Sequence, residues 1–201
     1  MRVSFRIEVL FVLLVACCLI TGISAAADPV QDIGTRRTLF VDGRIVDETR
    51  NVRMKLHRPR PAGVALEFDR PWEGAFAGYV TVIPDGDVVR MYYRGVPVAG
   101  EDGSENEVTC YAESRDGINW EKPSLGLFEV NGTRDNNVIL AHSSPYSHNF
   151  APFLDTRPGV NSSERYKALA GTSKSGLMVF VSPDGLHWRQ RDESPVMTDG
   201  A

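Results

Sequence analysis

Cysteine is scarce in this chain of 201 residues: there are three, Cys17, Cys18 and Cys110. The first two lie in an apolar N-terminal stretch whose removal would leave Cys110 alone. An intrachain disulfide framework is then excluded, and Cys110, inside Val108-Thr109-Cys110-Tyr111-Ala112, is expected to be a buried strand residue. No segment keeps a sustained helical period of apolar residues, so a helical fold is excluded. The four histidines, at 57, 142, 148 and 187, show no zinc-type spacing, and no metal site is expected. There is no glycine-rich phosphate loop, and no cofactor is expected. A net charge of −4 gives no basic footprint for nucleic acid.

Residues 1–27 have the features of a secretory signal. Arg2 and Arg6 are basic, Val9 to Ile20 is an apolar run too short for a comfortable membrane span, and Ser24-Ala25-Ala26-Ala27 offers small residues for cleavage. An uncleaved anchor is the other reading of this run. Leu14-Val15-Ala16-Cys17 resembles a lipoprotein cleavage box, but the apolar run continues past Cys17, which argues against lipidation. The expectation is a secreted or periplasmic protein without membrane attachment after cleavage. Loss of Arg2, Arg6 and Glu8 takes the 22 basic and 26 acidic side chains to 20 and 25, a net charge of −5. Asn131-Gly132-Thr133 and Asn161-Ser162-Ser163 match glycosylation sequons, meaningful only in a eukaryotic secretory pathway; otherwise they mark turns.

What the chain does contain is one stretch used twice. Tyr111-Ala112-Glu113-Ser114-Arg115-Asp116-Gly117-Ile118-Asn119-Trp120 is followed 68 residues later by Phe180-Val181-Ser182-Pro183-Asp184-Gly185-Leu186-His187-Trp188. Asp-Gly between apolar segments is a hairpin signal, because glycine accepts positive φ and aspartate bonds its own backbone. Around these hairpins the pattern predicts strands at 79–83, 88–94 and 108–113, with a fourth ending at Trp120. The series returns at 149–154, 165–171, 177–181 and 186–190, with Leu127 to Val130 and Asn137 to Leu140 forming a linking hairpin. Ahead of these, 37–41, 44–47 and the alternating Asn51 to His57 are predicted strands, and the proline-rich Arg58 to Pro61 is not.

The 18 glycines and 12 prolines suit many turns, and the chain is expected to be all-β. Four antiparallel strands per unit is the plan of a propeller blade, with Trp120 and Trp188 covering seams between blades. The expected organisation is a signal at 1–27, N-terminal strands and a linker at 28–77, and two blades at 78–201. Two blades do not close a propeller, so the chain is expected to be the first part of a longer protein.

The pairing of Arg90-Met91-Tyr92-Tyr93-Arg94 with the Ser-x-Asp-Gly-x-x-Trp hairpin resembles the five-bladed propellers of glycoside hydrolase families 32 and 43. Leu39-Phe40-Val41-Asp42, Arg70-Pro71-Trp72-Glu73-Gly74 and Lys122-Pro123-Ser124-Leu125-Gly126 are similar to that group as well. The Trp-Met-Asn-Asp-Pro-type nucleophile motif of family 32 is absent. The hairpin also resembles the sialidase Asp-box, which has one more residue between Asp and Gly. The resemblance implies a carbohydrate partner and glycosidic hydrolysis by paired carboxyl groups, with a non-catalytic carbohydrate-binding or scaffold propeller as the alternative and a sialidase as the more distant one.

In such a propeller the innermost strand of each blade faces the channel, so the residues at its start are the site candidates. Asp69 and Glu73 are the candidate carboxyl groups, against a turn-capping Asp and a solvated Glu. Arg70 and Arg94 are candidates for holding an anionic group, against surface or inter-blade ion pairs. Trp72 is a candidate sugar platform, against a core position. His148 and Asn149, with His142 nearby, are candidates for bonding sugar hydroxyls.

Overall fold

The structure is a computed structural model describing residues 32–39, 43, 45–100 and 102–198. The expected signal segment lies outside the described residues. The chain divides into two units, Met1–Pro59 and Arg60–Ala201. The described residues of the first unit include no strand or helix. The expected strand at 51–57 is not formed: Val52, Met54 and Leu56 are exposed, Leu56 to 98%. Alternation makes a strand only where a sheet edge takes up its backbone groups and a surface covers its apolar side. Neither is offered to this segment among the described residues. The expected strands at 37–41 and 44–47 fall partly outside the described residues, and their described positions are not in a strand.

The second unit holds two four-stranded antiparallel sheets. The first is β1 (Gly78–Asp85), β2 (Val88–Gly95), β3 (Val108–Ser114) and β4 (Val138–Leu140), in that order. The second is β5 (Ala151–Leu154), β6 (Tyr166–Thr172), β7 (Gly176–Ser182) and β8 (Arg189–Gln190). One 3₁₀ turn at Ser162–Glu164 is the helical content of the described residues. The chain is therefore all-β, and the first three strands of each repeat lie where their patterns predict them.

The two hairpins superpose bond for bond. Ser114 Oγ and Ser182 Oγ donate to Asp116 and Asp184 at 2.9 and 3.0 Å, and accept the amides of Gly117 and Gly185 at 2.8 and 2.9 Å. Each Asp carboxylate also accepts the next two amides, Ile118 and Asn119 or Leu186 and His187. Trp120 and Trp188 fold back to donate to the carbonyls of Gly117 and Gly185. In the first repeat this curl explains why the fourth strand is not where the pattern predicts it, whereas in the second β8 lies within the expected 186–190. Ser114 and Asp116 take the amides of residues 117–119, and Glu121 is the residue that reaches β3, at Glu113. The outer strand of the first sheet is instead β4, from the segment expected to be a linking hairpin, which pairs with Thr109 and Cys110. In the second sheet, Val196 and Met197 return in the same way to Leu177.

A shared aromatic core joins the sheets. Tyr92, Tyr111, Ile83, Ile139, Phe150 and Phe180 pack together with Trp188 against them. Tyr92 meets Tyr111 edge-on at 5.5 Å and Trp188 at 6.3 Å, and Trp188 meets Phe150 at 4.9 Å. A polar clamp lies beside it: the Asp85 carboxylate accepts from Arg90 (3.0 Å), Arg165 (2.8 Å) and the Tyr166 hydroxyl. A Cβ on Gly185 would meet Tyr92 Oη at 2.5 Å, whereas one on Gly117 would meet nothing within 4 Å. Both glycines have positive φ. Gly117→Ala is therefore expected to cost about 1 kcal/mol of backbone strain, and Gly185→Ala about 1–3 kcal/mol more through overpacking, a difference that chemical denaturation of the two variants would measure.

Backbone amides from Asn119 and Ile118 hold the Asp116 carboxyl well below the usual carboxylate range. At Asp184, burial pushes the carboxyl up, but the amides of His187 and Leu186 and the His187 side chain outweigh it and hold it low. A lowered folded-state pKa contributes stability that is fully present above the unfolded value of about 3.9 and is lost as pH falls below it. Stability curves from pH 6 to pH 2 are expected to fall less steeply for Asp184→Asn than for the parent.

Candidate functional site

Two groups of ionisable side chains form around the first sheet, one on each side of Tyr93-Arg94. Alternation along β2 sends Tyr93 and Arg94 to opposite faces.

On the Tyr93 side, Leu66, Phe68 and Trp72 pack on Met91, Tyr93, Val108 and Cys110. Trp72 is 7% exposed, and its Nε1 donates to Asn137 Oδ1 at 2.8 Å. Asn137 donates to Tyr93 Oη, which donates to Glu73 Oε1 at 2.5 Å. Burial pushes the Tyr93 phenol far up, so it stays a donor. Glu73 is 0% exposed, and its Oε2 accepts from the Arg70 amide and from Lys122 Nζ, both at 2.8 Å. Lys122 Nζ also donates to Asp69 Oδ1 (2.9 Å) and the Glu67 carbonyl (2.6 Å), which uses all three of its protons. The Lys122 hydrogen bond holds the exposed Asp69 carboxyl below its ordinary range.

Asp69, Arg70, Trp72 and Glu73 are thus brought together, but as a pin for the 66–73 segment. Glu73 is not the solvated side chain of the bland expectation, and Trp72 has no free face to offer a sugar. Lys122→Met would leave the Glu73 charge buried and unpaired. It is expected to cost about 3–5 kcal/mol in chemical denaturation, partly recovered in Glu73→Gln/Lys122→Met.

The second group gathers at the starts of β1 and β5. Gly78 pairs with Arg94 but Thr81 with Tyr92, so β1 carries one extra residue there, a β-bulge. Tyr79, inside it, has φ 51°. The Arg94 guanidinium lies 4.2 Å from the centre of the Tyr79 ring, and its Nη1 is 3.3 Å from His148 Nδ1. Glu107, 3% exposed, lies 2.9 and 3.1 Å from the same nitrogen. At Nδ1 the Glu107 carboxylate can only accept and the Arg94 guanidinium can only donate, so the nitrogen serves one of the two at a time. Nε2 faces the exposed Asp102 at 3.7 Å. Arg94 Nε is buried without a hydrogen-bond partner. Asn149, also at positive φ (54°), lines a recess of about 290 Å³ with Tyr79, Val80, Thr81, Phe150 and Ala151. His142 is apart from the group, with Nε2 against the Glu129 carbonyl.

Asp102, Glu107 and His148 bring one ligand atom each within 4.8 Å of one another, close enough to consider a metal ion. The chemistry disfavours it. Nδ1 is engaged by Glu107, a guanidinium stands 3.3 Å away, and a cation at Nε2 would find Asp102 as its one further ligand from the trio.

Of the expected residues, Arg94, His148 and Asn149 gather here, away from the Asp69–Glu73 group. Asp102, Glu107 and Tyr79 were not expected. The signal for the first two was present: two acids in a polar loop that is longer in the first repeat than in the second.

The chain is 32% identical over 128 residues to two proteins of Mycobacterium tuberculosis, Uncharacterized protein Rv1502 and Uncharacterized protein MT1551. The match covers 63% of this chain and 37% of each relative, so the chain spans little more than a third of the curated relatives it matches. It matches no protein-family model and no solved structure.

Proposed function

We propose that the two sheets are consecutive blades of a five-bladed propeller that acts on poly- or oligosaccharide outside the cytoplasm, cleaving glycosidic bonds between paired carboxyl groups. One observation carries it: the starts of β1 and β5 line one recess, and Tyr79 and Asn149 on its wall adjoin a cluster of Arg94, His148 and the Glu107 carboxylate. Convergent polar groups at a recess are the usual mark of a binding site. The length of the relatives supports the blade count, since 128 residues are 37% of each, or about 350 in all, and five units of about 70 residues need as much. The basic, apolar and small-residue pattern of 1–27 supports export.

Hydrolysis needs one carboxyl group as acid and another as nucleophile or base. Asp102 is the exposed member of its pair, and Asp69 is the exposed member of the other. A non-catalytic carbohydrate-binding propeller is the second reading. It is favoured by the burial of both glutamates, Glu73 and Glu107, each already bonded within the protein.

Turnover of a glycoside panel by the full chain tests the first reading. Asp102→Asn is expected to lower it at least about 100-fold with the fold intact by circular dichroism, whereas Asp69→Asn and Glu73→Gln separate the second carboxyl pair. Turnover unchanged in Asp102→Asn would remove that residue from the site. Glycan binding without turnover in the parent would favour the second reading.

A further inference from the structure

We infer that Tyr79 is the stacking platform of this recess and that its ligand is a neutral sugar ring presenting its C–H face. This rests on the carbohydrate reading above and deepens it.

Four observations meet at Tyr79. The residue is 60% exposed although it stands at the start of a strand next to the aromatic core. Its backbone is in the left-handed region, which a bulky side chain rarely occupies, and such outliers persist where the surroundings hold them and cluster at binding sites. The bulge supplies that hold and re-aims the side chain. The Arg94 guanidinium, 4.2 Å from the ring centre, fixes the ring from one side. An aromatic ring fixed on one face and open to a recess is what stacks on the C–H face of a sugar. Asn149 lines the same recess, and its side chain makes no hydrogen bond among the described residues, so its amide can serve sugar hydroxyls.

The charge pattern selects a neutral ring over an acidic one. Among the described residues, the cation beside Tyr79 is Arg94, engaged with that ring and close to His148. An anionic sugar would find no cation among the residues that line the recess, Tyr79, Val80, Thr81, Asn149, Phe150 and Ala151.

Affinity electrophoresis and titration calorimetry of the full chain against xylan, β-glucan, galactomannan and polygalacturonate test this. At least one neutral polysaccharide is expected to bind the parent. Tyr79→Ala should weaken that binding about tenfold while Tyr79→Phe stays within about twofold. Asn149→Gly should weaken binding without lowering the melting temperature, because glycine accepts the same backbone; a merely structural role for Asn149 would leave binding unchanged. Equal binding by the parent and a folded Tyr79→Ala would overturn the platform and leave the carbohydrate reading standing. Binding of polygalacturonate alone would overturn the choice of a neutral ring. No binding by the folded parent would sink the carbohydrate reading itself.

Discussion

The seam between the sheets depends on Tyr92. It leaves β2, is fully buried, and ends against Gly185 in the hairpin of the second sheet, where no other residue type fits without displacement. Trp188, held by its bond to the Gly185 carbonyl, closes over it and over Phe150 and Tyr166. Edge-on aromatic contacts add directional preference to area burial, so the seam fixes an angle as well as a distance. That angle brings the starts of β1 and β5 to one recess.

The same physical device appears twice around the first sheet with different surroundings. In each, a nitrogen-bearing side chain stands between a buried glutamate and an exposed aspartate: Lys122 between Glu73 and Asp69, His148 between Glu107 and Asp102. Around Lys122 every donor is used and the aromatic neighbours are covered, so the charge holds a segment down. Around His148 a guanidinium nitrogen is left unpartnered, one tyrosine ring stays open, and a recess adjoins. The two charge clusters differ in what is left unsatisfied.

Much of the fold was legible. The Ser-x-Asp-Gly-x-x-Trp repeat marked both hairpins because its bonds are local: the serine, aspartate and glycine satisfy one another within four residues. The outer strand of the first sheet was misassigned for the same local reason, since the Ser114–Asp116 turn consumes the amides a strand would have offered and Val138–Leu140 takes the vacant edge, whereas β8 lies within the expected 186–190. Alternation at 51–57 suggested a strand that lacks an edge to join. For the site, His148 and Asn149 were recoverable from their position ahead of a strand and Arg94 from its charge on β2, whereas Glu107 and Asp102 sat in a loop whose polarity alone carried no direction.

By itself the sequence determined the all-β class, the two-fold repeat and the hairpin chemistry, set by neighbours within a few positions. Only the tertiary structure decided which charges are buried. Glu73 and Asp69 look alike along the chain, four residues apart, yet one is sealed under Tyr93 and Lys122 while the other stands in water. That difference arises from residues 20 and 49 positions away, and no local pattern encodes a partner at that separation.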